Sequence, residues 1–337
     1  MGAVIPRLKM EEIKIQNIFK IAVPLLVEYE LLGTVAEVRT LSFKGRLHFP
    51  AYNPKATGES SYNLPLVAPD LYETGILNLM YKDINWGRPY SYPDKKCFVE
   101  TFLLELELNN EASRDVRKSI SEAGLEIEAW FLNLRDWAEV ITHQDLYESD
   151  PYTFAKFSDN RFGLWACLEN KEWRNKSPAE QLITITMIDD NESLSMGQWK
   201  YMISMANQSV PVSTEYLLLR DARAQLYRDQ FRRSVLDSGI VGELILRNKV
   251  SEVLKNLGGN KENIKNVTES TFGSLINLAL TMPDLITLPD DIKKLNTIRN
   301  SAVHYKEKID ATKASMAIKI ASELVEIHLP LPIELND

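Results

Sequence analysis

At 337 residues the chain exceeds the ~250–300 at which one hydrophobic core stops growing, so its length predicts two domains. Its 45% hydrophobic and 26% charged residues are those of an ordinary globular protein, and its apolar runs, broken by charges, fall far short of the ~20 residues of a membrane span. A net charge of −8 excludes a surface that is basic throughout, yet residues 213–337 carry 17 basic and 17 acidic side chains, so the acidity lies before Ser213 and any nucleic-acid contact is expected from a local patch on the neutral C-terminal part.

The first residues, "MGAVIPRLKMEEIKIQ", lack a basic stretch followed by an apolar segment, and Pro6 stands where a myristoylation signal has Ser or Thr. A cytoplasmic protein with no membrane contact is expected. Up to about residue 190, apolar residues alternate or form short runs rich in β-branched and aromatic types: "TVAEVRTLSFKGRLHF", "CFVETFLLELELN", "LEIEAWFLNL", "FGLWACLE" and "QLITITMI". This half reads as mainly β. "SRDVRKSISEAG", residues 113–124, is its best helix, with Ser113 as N-cap and Gly124 as stop.

Residues 81–96 hold Trp86, Tyr90 and Tyr92 beside Arg88, Lys95 and Lys96, a mixture of stacking surfaces and cations used on single-stranded nucleic acid. Trp86, Arg88 and Tyr90 are therefore candidate RNA-binding residues; the plainer reading is a proline-bearing hairpin loop whose rings cover the sheet. Cys97 and Cys167 make neither a disulfide framework nor a zinc site by themselves and read as small core residues. No pair of histidines has metal-ligand spacing: His48 and His143 sit at strand ends or turns, and His328 ends the last helix. "NLGGNKEN" lacks the ending of a phosphate loop and reads as a helix stop. No metal and no cofactor are expected.

Near residue 205 the hydrophobic period becomes helical. The spacing predicts one very long helix from Ser213 or Thr214 to Gly258, or two joined near Gly239. A second helix, "VTESTFGSLINLALTM", carries Phe272, Leu275, Ile276 and Ala279 on one face; a third starts after Pro289; a fourth has Asp310 as N-cap and Ala317, Ile320, Leu324 and Ile327 as its stripe. The chain is thus expected to be an α+β multidomain protein: a β-rich recognition or regulatory domain over residues 1–205, then an all-α bundle of four or five helices over residues 206–337.

The third helix contains "IRNSAVHYKE", residues 298–307. On a wheel of ~100° per residue, Leu295, Ile298, Ala302, Tyr305 and Ile309 share a narrow arc, the expected core face. Arg299 flanks it, while Asn300, Val303 and His304 lie on the far side. Five residues apart, Arg299 and His304 have the wrong spacing for an intrahelical pair.

In order, "TFGSLINLAL", the short "LPDDIKKLNTI" connection, "RNSAVH" and "DATKASMAIKIASELV" resemble the C-terminal helices of the HEPN superfamily of nucleotide-binding helical bundles, over roughly residues 213–328. The β-rich half resembles no family named here. The resemblance implies a metal-independent endoribonuclease that acts as a homodimer, with an R-x4-6-H motif from each chain meeting at the two-fold axis. Its Arg is Arg299, its polar second residue Asn300 and its His His304; Glu243, in "IVGELIL", is a supporting acid or else an i,i+4 partner of Arg247. Histidine near its ordinary pKa of ~6.5 moves protons at a ribose 2′-hydroxyl or a leaving 5′-oxygen, and arginine holds phosphorane oxygens. The expected partner is RNA, in a stress or antiviral defence role, with a trigger or regulatory partner at the N-terminal domain. The alternative is a non-catalytic adaptor that binds RNA or nucleotide, or only dimerises.

Overall fold

The computed structural model describes residues 14–41, 43–52, 65–69, 85–91, 95–108, 116–146, 164–167, 193–305 and 307–331. An antiparallel β-sheet region precedes a helical C-terminal part, giving an α+β protein of two compact units that divide between Pro211 and Val212. The change of hydrophobic period at 205 comes slightly earlier in the chain, inside a helix that belongs to the first unit.

In that unit, β1 (Lys14–Glu28), β2 (Val35–Arg39), β3 (Phe43–His48), β4 (Gly87–Ser91), β5 (Lys96–Leu108) and β6 (Leu164–Cys167) form one sheet in the order β2-β3-β5-β1-β6. β1 runs along one edge of β5, so β3 and β4 share the other in succession. Successive side chains on a strand point to opposite faces, and Leu103 and Leu104 are both fully buried. Both faces of β5 are therefore covered, which is why "FVETFLLEL" reads as a nearly unbroken apolar run.

Helix α1 (Val116–Thr142) corrects one expectation: it passes through Gly124 and takes in "LEIEAWFLNL", expected as a strand. Ile127, Trp130, Leu134, Trp137 and Ile141 are all buried, a helical stripe that outweighs the segment's aromatic content. Helix α2 (Met196–Asn207) starts in a capping box, with Ser195 Oγ accepting from Gln198 N and Gln198 Oε1 from Ser195 N. Its Trp199 meets Phe49 edge-on, and Phe49 meets Phe102 of β5 the same way, at centroid distances of 4.7 and 4.9 Å. "QLITITMI" lies outside the described residues.

The second unit contains α3 (Thr214–Tyr227), α4 (Phe231–Asn256), α5 (Lys261–Thr268), α6 (Phe272–Leu280), α7 (Ile292–Val303) and α8 (Ala311–His328). α4 is the central helix, packed against all the others. These are more helices than expected, for two reasons. The long helix breaks at Asp229 rather than Gly239: Asp229 adopts φ 56°, its N–H bonds Leu226 O and that of Gln230 bonds Gln225 O, a Schellman closure with Asp in the left-handed place. The "VTESTFGSLINLALTM" segment divides where Thr271 accepts from Ser274 N and starts α6. Asp310 caps α8 as expected, accepting from Lys313 N. Ala317, Ile320 and Leu324 are buried, but Ile327 is 41% exposed and leaves the expected stripe.

Candidate functional site: the α4–α7 contact and the end of α7

Helix α7 follows Pro289 and buries Ile292, Leu295, Ile298 and Ala302 against the bundle. This is the expected core face, except at its end. The helix stops at Val303, His304 is its C-cap and Tyr305 takes φ 52° with 78% exposure, so the wheel does not extend to Tyr305. Ile309 is buried, but from beyond the helix.

Two glycines explain how α7 approaches α4. A Cβ on Gly242 would fall 2.8 Å from the Phe272 ring and 3.2 Å from Leu295; a Cβ on Gly239 would fall 2.5 Å from Arg299 Cγ. Glycine inside a helix costs about 1 kcal/mol against alanine, and here the missing side chains are what lets the Arg299 stem lie across α4. One turn further along α4, Glu243 Oε2 accepts from Arg299 Nη2 at 3.0 Å. The other oxygen, Oε1, accepts from Arg247 Nη2 at 2.6 Å, and Arg247 also donates to Ser270 O at 3.2 Å.

Glu243 is thus the i,i+4 partner of Arg247 and at the same time an ion-pair partner of Arg299. The three side chains are 19–26% exposed, and the cluster carries one excess positive charge. Among the described residues only Nη2 of Arg299 is engaged, which leaves donors of its guanidinium for another anion.

Asn300 is half-buried, with a long contact of 3.5 Å from Nδ2 to Asn296 Oδ1. Val303 is 40% exposed, and His304 is exposed, its backbone N–H on Asn300 O. Arg232 of α4 secures the residues on both sides of His304: it donates to the Ala302 carbonyl, and its guanidinium carbon lies 3.3 Å from the Tyr305 ring centroid. Arg299 and Glu243 are therefore brought together, while His304 stands at the other end of the same local structure. Arg232 and Tyr305 are site neighbours that sequence reasoning missed; the excess of Arg at 232–233 was the only signal.

The remaining candidates lie in the first unit. Trp86 is buried, 5% exposed, and so joins the core rather than offering a free ring. Arg88 is exposed on β4, 5.8 Å from the Phe98 ring centroid. Tyr90 is also on β4, which occupies the middle of the segment expected as a loop, and its side chain lies outside the described part. Cys97 is a free, fully buried thiol whose burial pushes its pKa up to about 12. His48 is buried with Nε2 3.1 Å from Glu105 Oε2, His143 follows α1 with φ 57°, and His328 Nε2 lies 2.8 Å from Thr287 O.

No helix among the described residues is long and apolar enough to cross a membrane, and no group of three or more His, Cys, Asp or Glu side chains among them is placed to hold a metal ion. No family model matches this chain, and neither does any curated protein or solved structure.

Proposed function

We propose that this chain is an endoribonuclease of the HEPN type that acts as a homodimer in the cytoplasm and cleaves RNA without a divalent metal. The observation that supports this most is that the C-terminal half of α7 and its cap carry two differently held groups: Arg299 is oriented by Glu243, and the His304 ring has no hydrogen-bond partner among the described residues. His304 takes the proton of a ribose 2′-hydroxyl, or returns one to the leaving 5′-oxygen. The free donors of Arg299 hold the equatorial oxygens as charge develops on them. Each chain supplies one histidine, so a dimer supplies both a base and an acid. Val303 and Ile240, 40% and 39% exposed, provide apolar surface for an isologous contact near the motif. The β-sheet unit then serves recognition of a trigger or partner in a stress or antiviral response.

One observation favours a second reading, a bundle that binds RNA or dimerises without cleaving. The guanidinium of Arg299 already has its counter-charge in Glu243. Incubating purified full-length protein with single-stranded RNA in EDTA separates the two. Cleavage by the wild type that is lost in His304→Ala supports the nuclease; RNA retained intact but bound supports the adaptor.

A further inference from the structure

Tyr305 is an aromatic residue in an unusual place. It sits just past the end of α7 with φ 52°, where glycine is at ease and a bulky side chain is an outlier. It is also 78% exposed, so its ring contributes little to the core. Such conformations persist only where neighbouring groups over-determine them, and they gather at binding sites. The neighbour here is Arg232.

We propose that Tyr305, backed by Arg232, is a stacking platform for one unpaired nucleobase of single-stranded RNA; the proposal rests on the nuclease reading above. The Arg232 guanidinium covers one face of the ring at 3.3 Å from its centroid and is itself fixed by the Ala302 carbonyl. With one face covered and 78% of the residue exposed, the opposite face is open to solvent. A base laid on that face completes a stack of guanidinium, phenol and base, three flat groups in register. The Arg232 guanidinium, tied in turn to the Ala302 carbonyl, supports the ring from its rear face. Since Tyr305 follows His304 directly, the stacked base belongs to a nucleotide beside the one whose 2′-hydroxyl meets His304.

The surroundings suit the same strand. Arg232, Arg233 and Lys308 line an open cleft of about 780 Å³, with Asp229 and Asp237 as its acids. Arg233 and Lys308 are exposed in this cleft, Arg233 beside Asp237, and Arg232 belongs both to the cleft and to the rear face of the ring, so the cleft offers cations to backbone phosphates of the same strand.

The test measures binding of a short labelled single-stranded RNA by fluorescence anisotropy, on the full chain in a His304→Ala background so that cleavage does not intervene. Tyr305→Ala is expected to weaken binding about 5- to 150-fold, the range for losing one base stack, whereas Tyr305→Trp stays within about twofold. Tyr305→Gly suits the left-handed backbone and is expected to melt at an equal or higher temperature while binding as weakly as Tyr305→Ala. Duplex RNA of the same sequence, whose bases are already stacked, is expected to show little dependence on Tyr305. If the His304→Ala protein binds single-stranded RNA and Tyr305→Ala changes nothing, the platform is overturned while the nuclease reading stands. If the wild type neither binds nor cleaves RNA, both are overturned together.

Discussion

Glu243 of α4 and Arg299 of α7 meet at 3.0 Å, with the carboxylate's other oxygen on Arg247 at 2.6 Å. One anion therefore holds two arginines that would otherwise repel each other in a half-buried contact. This fixes the direction of the Arg299 side chain more than α7 alone can, because the helix places only its Cα and the stem crosses Gly239 on the way to Glu243.

Removing the shared anion is expected to cost more than removing either cation. Glu243→Ala leaves two partly desolvated guanidinium groups facing each other, an effect of about 1–3 kcal/mol. A double-mutant cycle of Glu243→Ala with Arg299→Ala, measured by urea unfolding, is expected to give a coupling of about 1–2 kcal/mol. A coupling near zero would show the pair to be an incidental surface contact.

Gly239 and Gly242 separate the setting of the Arg299 side chain from the packing of the core. Gly239→Ala sets a methyl group 2.5 Å from Arg299 Cγ, so the arginine stem must move and its bond to Glu243 is strained. Gly242→Ala meets the Phe272 ring and Leu295, which are core groups. The expectation is a large loss of RNA cleavage with a modest change in stability for Gly239→Ala. For Gly242→Ala it is about 1–3 kcal/mol of destabilisation from overpacking. Equal effects of both variants on both assays would remove the special relation between Gly239 and Arg299.

How much of this was legible in the sequence follows from where each signal lies. The stripe Leu295, Ile298 and Ala302 and the Asp310 cap are local patterns, and both are present in the folded chain. The break at Asp229 was not legible, since an aspartate in the left-handed place carries none of the warning a glycine gives, while Gly239, which does warn, is a packing glycine inside α4. No glycine or proline marks the end of α7, so a wheel carried on to Tyr305 and Ile309 runs past Val303, where the helix stops. The Glu243–Arg299 pair joins residues far apart in the chain, and no spacing rule reaches across two intervening helices.

Asp237 predicts a pH signature. Burial pushes its carboxyl above the ordinary value of 3.8, with Arg233 opposing and Asp221 reinforcing the shift. A group whose pKa is raised by folding contributes stability that is complete below the unfolded value and is lost as pH rises through the folded one, so at neutral pH the charged form is a burden. Asp237→Asn is expected to raise the melting temperature at pH 7, by the equivalent of less than about 1 kcal/mol because the group is partly solvated. That advantage should vanish on acidification below the ordinary carboxylate range. His328 acts the other way: burial lowers its pKa, so its contribution is present above the ordinary 6.5 and is lost as pH falls through the folded value. Melting curves across pH for Asp237→Asn check the sign, and a variant less stable than wild type at pH 7 would refute it.

The sharpest contrast lies within α7 and its cap. Ile298 is on the core face at 9% exposure, Arg299 is at the rim and His304 is exposed. Ile298→Ala removes buried methyl groups and is expected to cost about 2–5 kcal/mol. His304→Ala removes an exposed ring from a C-cap and is expected to stay within about 0.5 kcal/mol, and Arg299→Ala to fall between the two through its lost bond to Glu243. Activity should rank in a different order. His304→Ala and Arg299→Ala are expected to lose about 10²–10⁴ in cleavage rate, while Ile298→Ala, assayed well below its melting temperature, keeps most of its activity. Urea unfolding and RNA cleavage on the same four proteins decide the matter. If cleavage simply follows stability across the set, with His304→Ala as active as the wild type, then the end of α7 is scaffold and the nuclease, if the chain has one, lies elsewhere.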